Sequence, residues 1–235
     1  MTKKAEVEEF YDLFVKKQQK IGISVRHRII VKKLKSMGLK KSSKVLEVGC
    51  GIGTVSKLII QSIPNGKFVG CDISEKSIEL AKVLNPKKNA EFIVEDMVNF
   101  SSNILFDFVV FPDVLEHIPV SQHSNLFSKI AMVCSQNAKI LINIPEPNAL
   151  NWTRENKPEV LQIIDQSLSM QDLLNNVYPH GFQVESIRPY SIHSNVNNYL
   201  SIVLIKNTKV DKIELKGKFA QLIQNLRVRF FNVQI

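Results

Sequence analysis

A chain of 235 residues that is 44% hydrophobic can fill one good-sized core, and its even mixture excludes a disordered or low-complexity protein. No apolar run approaches the roughly 18–20 residues of a membrane span, and the charged start (Lys3, Lys4, Glu6, Glu8, Glu9) does not resemble a signal peptide, so a cytoplasmic location is expected. The net charge of +9 is uneven: residues 1–44 hold 13 Lys/Arg against 4 Asp/Glu, residues 45–205 hold 11 against 16, and residues 206–235 hold 7 against 2. The acidic centre thus has two basic ends, which either aid solubility or meet an anionic partner.

Two helical stretches come first. Val7, Phe10, Tyr11, Phe14 and Val15 recur at helical spacing from about Lys4 to Lys20, and Ile29, Ile30 and Leu34 repeat the pattern from Val25 to Met37. Gly22 separates them and Gly38 ends the second as a C′ residue. From Lys44 onward short apolar strands alternate with helices. Strands are predicted at Lys44–Val48, Lys67–Cys71, Ala90–Val94, Phe106–Phe111 and Lys139–Ile144, with helices at Thr54–Ile63, Ser74–Leu84 and Ser121–Val133 between them. This alternation predicts an α/β fold with a parallel sheet covered by helices on both faces. The Pro145–Pro179 segment departs from the repeat, with four prolines, Trp152 and two short helical pieces, the second opening on the capping box Ser169-x-x-Asp172. Two more strands, Gln183–Ile187 and Tyr199–Ile205, make seven, and a basic amphipathic tail follows from Asp211. The expected organisation is an N-terminal helical cap over residues 1–40, a central domain over 41–207 with a substrate-side insertion at 145–180, and a tail over 208–235.

The turn after the first strand carries the chemistry. Glu47-Val48-Gly49-Cys50-Gly51-Ile52-Gly53 has the spacing E-x-G-x-G-x-G, which lets the backbone turn tightly and approach a ligand at a helix N-terminus. A dinucleotide fingerprint, G-x-G-x-x-G, would need glycine where Thr54 stands. Four consecutive strands end in or just before a carboxylate: Glu47, Asp72, Asp96 and Asp113. Ligands of open α/β sheets bind at those ends, where such a row repels a pyrophosphate and suits a sulfonium that also bears an ammonium. Asp72, about 20 residues beyond the glycines, is placed for ribose hydroxyls. Cys50, Cys71 and Cys134 form no C-x-x-C pair and are expected as free thiols, with no metal.

These motifs resemble the class I S-adenosylmethionine-dependent methyltransferases. Val69-Gly70-Cys71-Asp72-Ile73-Ser74 is similar to the family's second element, Glu95-Asp96-Met97 to its third, and Phe111-Pro112-Asp113-Val114-Leu115-Glu116-His117-Ile118-Pro119 to a stretch of its small-molecule members. The resemblance implies an open, doubly wound, mostly parallel seven-stranded sheet of the Rossmann-like methyltransferase type. It also implies S-adenosylmethionine as cofactor, held by Glu47, Gly49, Gly51, Gly53, Asp72, Ile73, Asp96, Met97 and Asp113. There is no Pro-Cys nucleophile and no Asn-Pro-Pro-Tyr-like tetrapeptide, Phe111-Pro112-Asp113-Val114 standing in its place, and no paired-glutamate hairpin. What remains is methyl transfer to an oxygen or nitrogen of a small molecule, such as a sugar, a glycan or an isoprenoid precursor. The alternative is a macromolecular acceptor, protein or RNA, docked by the basic termini, with nucleic acid the weaker choice.

Histidine suits the base of such a transfer near neutral pH. His117 ranks first, because it follows the fourth strand, and His193 in the polar loop 191–198 second. Tyr11, Arg26, His27 and Trp152 are candidates for the acceptor pocket. The tail Phe219–Phe231 has apolar residues at i, i+3, i+4 and i+7, a pattern that fits docking on the protein itself, on a second copy or on a membrane surface.

Overall fold

The computed structural model describes residues 15, 18–97, 99–162, 164–206 and 214–230. Seven strands form one sheet: β1 (Lys44–Val48), β2 (Lys67–Asp72), β3 (Ala90–Val94), β4 (Phe106–Pro112), β5 (Cys134–Pro145), β6 (Phe182–Tyr190) and β7 (Tyr199–Lys206), in the order β3-β2-β1-β4-β5-β7-β6. The first five pair in parallel, and β7 inserts antiparallel between β5 and β6. The chain leaves β1 toward β3 and returns to β4 on the other side of β1. A crevice opens at such a reversal, beyond the strands' carboxyl ends.

The helices are α1 (Val25–Ser36), α2 (Thr54–Ser62), α3 (Glu75–Leu84), α4 (Val120–Val133), α5 (Pro147–Asn156), α6 (Met170–Val177) and α7 (Lys218–Phe230). Alternate residues of the central strands feed two cores. Leu46 and Val48 of β1 and Val109 and Phe111 of β4 join Phe127 of α4 and Leu173 of α6 on one face. Val45, Phe108 and Val110 join Ile30 and Leu34 of α1, Ile59 of α2 and Ile78 of α3 on the other. Burial on both faces explains why these strands are continuous apolar runs, each large aliphatic side chain contributing about 1.5–3 kcal/mol.

Two expectations are refined. The fifth strand starts at Cys134 rather than Lys139, because polar Ser135-Gln136-Asn137 precede an irregularity in its pairing with β4 and interrupt the apolar run. The second helix of the expected cap, α1, buries Ile30, Val31 and Leu34 in the sheet's core, so it belongs to the body of the fold. The first predicted helix lies outside the described residues except for residues 15 and 18–20. At the other end, α7 exposes Phe219, Leu222, Ile223 and Leu226. Among the described residues no helix is long and apolar enough to cross a membrane.

Candidate active site

The carboxyl ends of β1–β4 open into one cleft of about 960 Å³, within the size range of pockets for nucleotide-sized ligands. Its β1 end is the glycine turn. Gly49, Gly51 and Gly53 have φ of 66°, 52° and 80°. At Gly49 the need is also steric, since a Cβ there would collide with the Val114 side chain. Asp72 ties the turn to β2: its Oδ2 accepts from the Gly51 amide at 2.8 Å and its Oδ1 from the Ser74 amide at 2.9 Å. Glu47 is fully buried, with Ser56 of α2 donating to Oε2 at 2.7 Å and Oε1 lacking any hydrogen-bond partner. Burial pushes its carboxyl up to about 8, the Ser56 bond opposing and the charge of Asp72 adding to the rise. A cation in the cleft would supply what that carboxyl lacks.

The β4 end is built from distant segments. Asp113 has φ 58°, and its Oδ1 accepts from Asn143 Nδ2 at 2.9 Å. Arg26 of α1 places Nε 2.8 Å from Asp113 Oδ2, an ion pair without a well-aligned hydrogen bond, and donates from Nη1 to Tyr199 Oη at 2.6 Å. Burial works against the guanidinium charge, but Asp113 and Tyr199 outweigh it and hold Arg26 protonated. Tyr190 donates to Asn143 Oδ1 and packs against Tyr199 with ring centroids 5.7 Å apart. Glu116 is 2% exposed, and its Oε2 has no hydrogen-bond partner. Burial raises its carboxyl well above the usual range, with Asp113 and Asp165 adding to the rise.

His117 sits in a 3-10 turn at Leu115–His117. Its Nδ1 lies 2.6 Å from the Ile164 carbonyl and 3.2 Å from Asp165 Oδ1, so that nitrogen carries the proton. Nε2 then accepts from Gln162 Nε2 at 3.1 Å. Gln166 strengthens the attachment, donating from Nε2 to the Ile118 carbonyl at 2.7 Å. Both imidazole nitrogens therefore fasten the segment after α5 over the cleft.

Of the residues expected from the sequence, Glu47, Gly49, Gly51, Asp72, Ile73, Asp96, Met97, Asp113, Arg26, His27 and His117 all line this cleft. Gly53 does not; it is the N-cap of α2, packed toward Asn85 and Ala81. His27 completes a capping box with Ser24, its Nδ1 accepting from the Ser24 amide at 3.1 Å. Burial, helped by Arg26, lowers its pKa to about 4, so it is neutral at pH 7. Two expected residues lie elsewhere. His193, at φ 49°, is exposed on a loop that Asn198 pins through the Ile192 amide and carbonyl, and it does not line the cleft. Trp152 is 54% exposed with Lys157 over its ring, while Ala149, Leu150 and Thr153 of the same helix line the cleft. Tyr11 lies outside the described residues.

Sequence reasoning passed over Glu116, Asn143, Asp165, Tyr190 and Tyr199. Asn143, a polar residue inside the apolar run of β5, was the one visible signal. Among the described residues no three His, Cys, Asp or Glu side chains converge as metal ligands would.

Residues 45–137, which span β1 to the start of β5, match the family model for a methyltransferase domain. Over that stretch, which holds the glycine turn and the acids after β1–β4, the chain is similar to a methyltransferase domain. Malonyl-acyl-carrier-protein O-methyltransferase 1 of Ilyobacter polytropus is 41% identical over 73 residues, 31% of this chain and 27% of that protein. The matches to curated relatives span between 26% and 59% of their lengths. Magnesium protoporphyrin IX methyltransferase of Synechocystis, crystallised with S-adenosylhomocysteine, superposes with a TM-score of 0.59 at 20% identity, over 77% of this chain and 81% of its own. A chain from the Haloferax volcanii complex of the Trm112 methyltransferase activator with a methyltransferase superposes with a TM-score of 0.70 at 13% identity, over 88% of this chain and all of that one. These superpositions show the shared seven-stranded fold.

Proposed function

We propose that this protein is an S-adenosylmethionine-dependent methyltransferase that methylates an oxygen or nitrogen of a small molecule. One observation carries the reading: a positive-φ glycine turn lies beside buried and half-buried carboxylates, among them Glu47 with an unpartnered oxygen. That donor set suits a ligand with ribose hydroxyls and a net positive charge, and it opposes a pyrophosphate. Asp72 would hold the ribose, Asp96 and Met97 would meet the base, and Glu47 would face the ammonium. The bound cofactor supplies an electrophilic methyl group on sulfur. The protein's part is then to align the acceptor and exclude water. Arg26, Asp113, Tyr199 and the segment after α5 are the elements placed to do so.

His117 is assigned a positioning role, because both of its nitrogens hold that segment. Base catalysis by His117 predicts a rate loss of about 10²–10⁴ in His117→Ala, with loss of the pH inflection. Positioning predicts a rise in KM and faster amide exchange at residues 158–166, with the inflection retained. The cofactor assignment is tested by calorimetry with S-adenosylmethionine and NAD in parallel. Binding of NAD without S-adenosylmethionine would end it.

A further inference from the structure

The electrostatics of the cleft narrow the acceptor, provided the cofactor assignment above holds. Among the described residues seven acidic side chains and one guanidinium line the cleft. The cofactor, with a sulfonium, an ammonium and a carboxylate, brings a single net positive charge. The one guanidinium is already committed: Arg26 pairs with Asp113 and donates to Tyr199. An acceptor bearing a carboxylate or phosphate would enter a field of like charge without a free cation among the described residues to meet it.

Three carboxylates stand at the β4 end, and their partners differ. Asp113 has Arg26 and Asn143, and Asp165 has His117 together with the Gln162 amide, which donates at 2.6 Å. Glu116 is almost fully buried within the electrostatic reach of both, its Oε1 is 3.9 Å from His117 Nε2, and its Oε2 has no hydrogen-bond partner. Deep burial of a carboxyl without partners is costly unless a ligand completes it.

We infer that the acceptor is a small-molecule amine, and that Glu116 binds its ammonium and takes the proton that must leave before methylation. The step balances as follows. One N–H proton of the ammonium passes to the Glu116 carboxylate, which leaves a lone pair on nitrogen. That pair forms the N–C bond to the methyl carbon as the C–S bond breaks, and the bonding electrons remain on sulfur as the thioether. The product leaves as the N-methylated ammonium, and Glu116 releases its proton to solvent. The high affinity of the buried Glu116 carboxyl for a proton, set by burial and by Asp113 and Asp165, brings it closer to that of an amine than an exposed glutamate would be.

The test measures binding of small probes to the full chain saturated with S-adenosylhomocysteine. Hexylamine, hexanol and hexanoate form one matched series, and 2-phenylethylamine, 2-phenylethanol and phenylacetate a second. The amine of at least one series is expected to bind at least about tenfold tighter than its carboxylate, and Glu116→Gln to erase that preference while S-adenosylhomocysteine affinity stays within about twofold. Equal or tighter binding of both carboxylates overturns the inference, as does an intact preference in Glu116→Gln. The wild-type preference needs no variant, so a Glu116→Gln protein that fails to fold leaves the test in place, with Asp165→Asn as the second substitution expected to weaken the preference. Failure of S-adenosylhomocysteine itself to bind is a separate result that overturns the cofactor assignment and this inference with it.

Discussion

At the β1–β2 end of the cleft, Asp72 is held by backbone amides 21 residues before it and 2 residues after it. At the β4 end, Asp113 is held by side chains from α1 and β5, and Arg26 bonds to Tyr199, 173 residues further along the chain. The first arrangement forms as soon as two neighbouring strands pair. The second exists only once the N-terminal helix, the insertion and the last strand have all docked. Within one cleft, then, a rigid and locally specified end faces an end assembled from parts that other sequences could exchange. This division suits a constant cofactor and a variable acceptor.

The largest expected effect tests the rigidity of the first end. Gly49→Ala combines a left-handed φ with a collision against Val114 and should cost about 3 kcal/mol in urea denaturation. Gly51→Ala meets only the flexible end of Gln18 and should cost about 1 kcal/mol. Equal costs would show that the turn relaxes freely, and the contrast between the two ends would fail.

Asp72→Ala should weaken S-adenosylmethionine binding about ten- to a hundredfold, equivalent to roughly 1.5–3 kcal/mol. Arg26→Met, at the other end, should leave that affinity within about threefold while lowering turnover. Calorimetry on both variants would break the comparison if Arg26→Met lost as much affinity as Asp72→Ala.

A third prediction concerns protons. The Glu47 carboxyl is raised to about 8 by burial, with Ser56 opposing and Asp72 adding, so below that pH it is protonated in the free protein. Binding of an ammonium favours the carboxylate, so a proton is released. Affinity should therefore rise with pH toward 8, by up to about tenfold per unit. Glu47→Gln should flatten this dependence, and titrations in buffers of different ionisation enthalpy would read the proton directly. For stability without ligand the sign is opposite. A raised carboxyl contributes fully below its unfolded value of 4.5, and the contribution is lost as pH rises through about 8.

The smallest effect is local. Ser24→Ala removes the cap that His27 completes and should cost about 1 kcal/mol of stability, measured by thermal unfolding, with cofactor affinity unchanged.

The strands, the glycine turn and the carboxylates after β1–β4 were legible because each depends on a short window: a short apolar run, a spacing of E-x-G-x-G-x-G, an acid at a strand end. The network around Asp113 was not legible. Tyr190 and Tyr199 look like ordinary strand-end aromatics, and Glu116 like a solvated turn acid, until the fold packs the two rings together and buries Glu116. His117 was singled out as the first candidate base and it lines the cleft, yet its hydrogen bonds to Ile164 and Gln162 belong to a segment nearly fifty residues away that no local pattern connects to it. His193 shows the converse: a histidine expected on the ligand side that is exposed on its loop and does not line the cleft.

By itself, then, the amino-acid sequence determined the α/β class, the parallel central strands and the glycine turn, since those follow from short apolar runs alternating with helices and from backbone conformations that few residue types tolerate. Only the tertiary structure decided which charges are paired, which carboxyl is left without a partner and which histidine faces the cleft. Burial and pairing are properties of groups distant in the chain, and their electrostatic consequences appear only when solvent has been excluded between them.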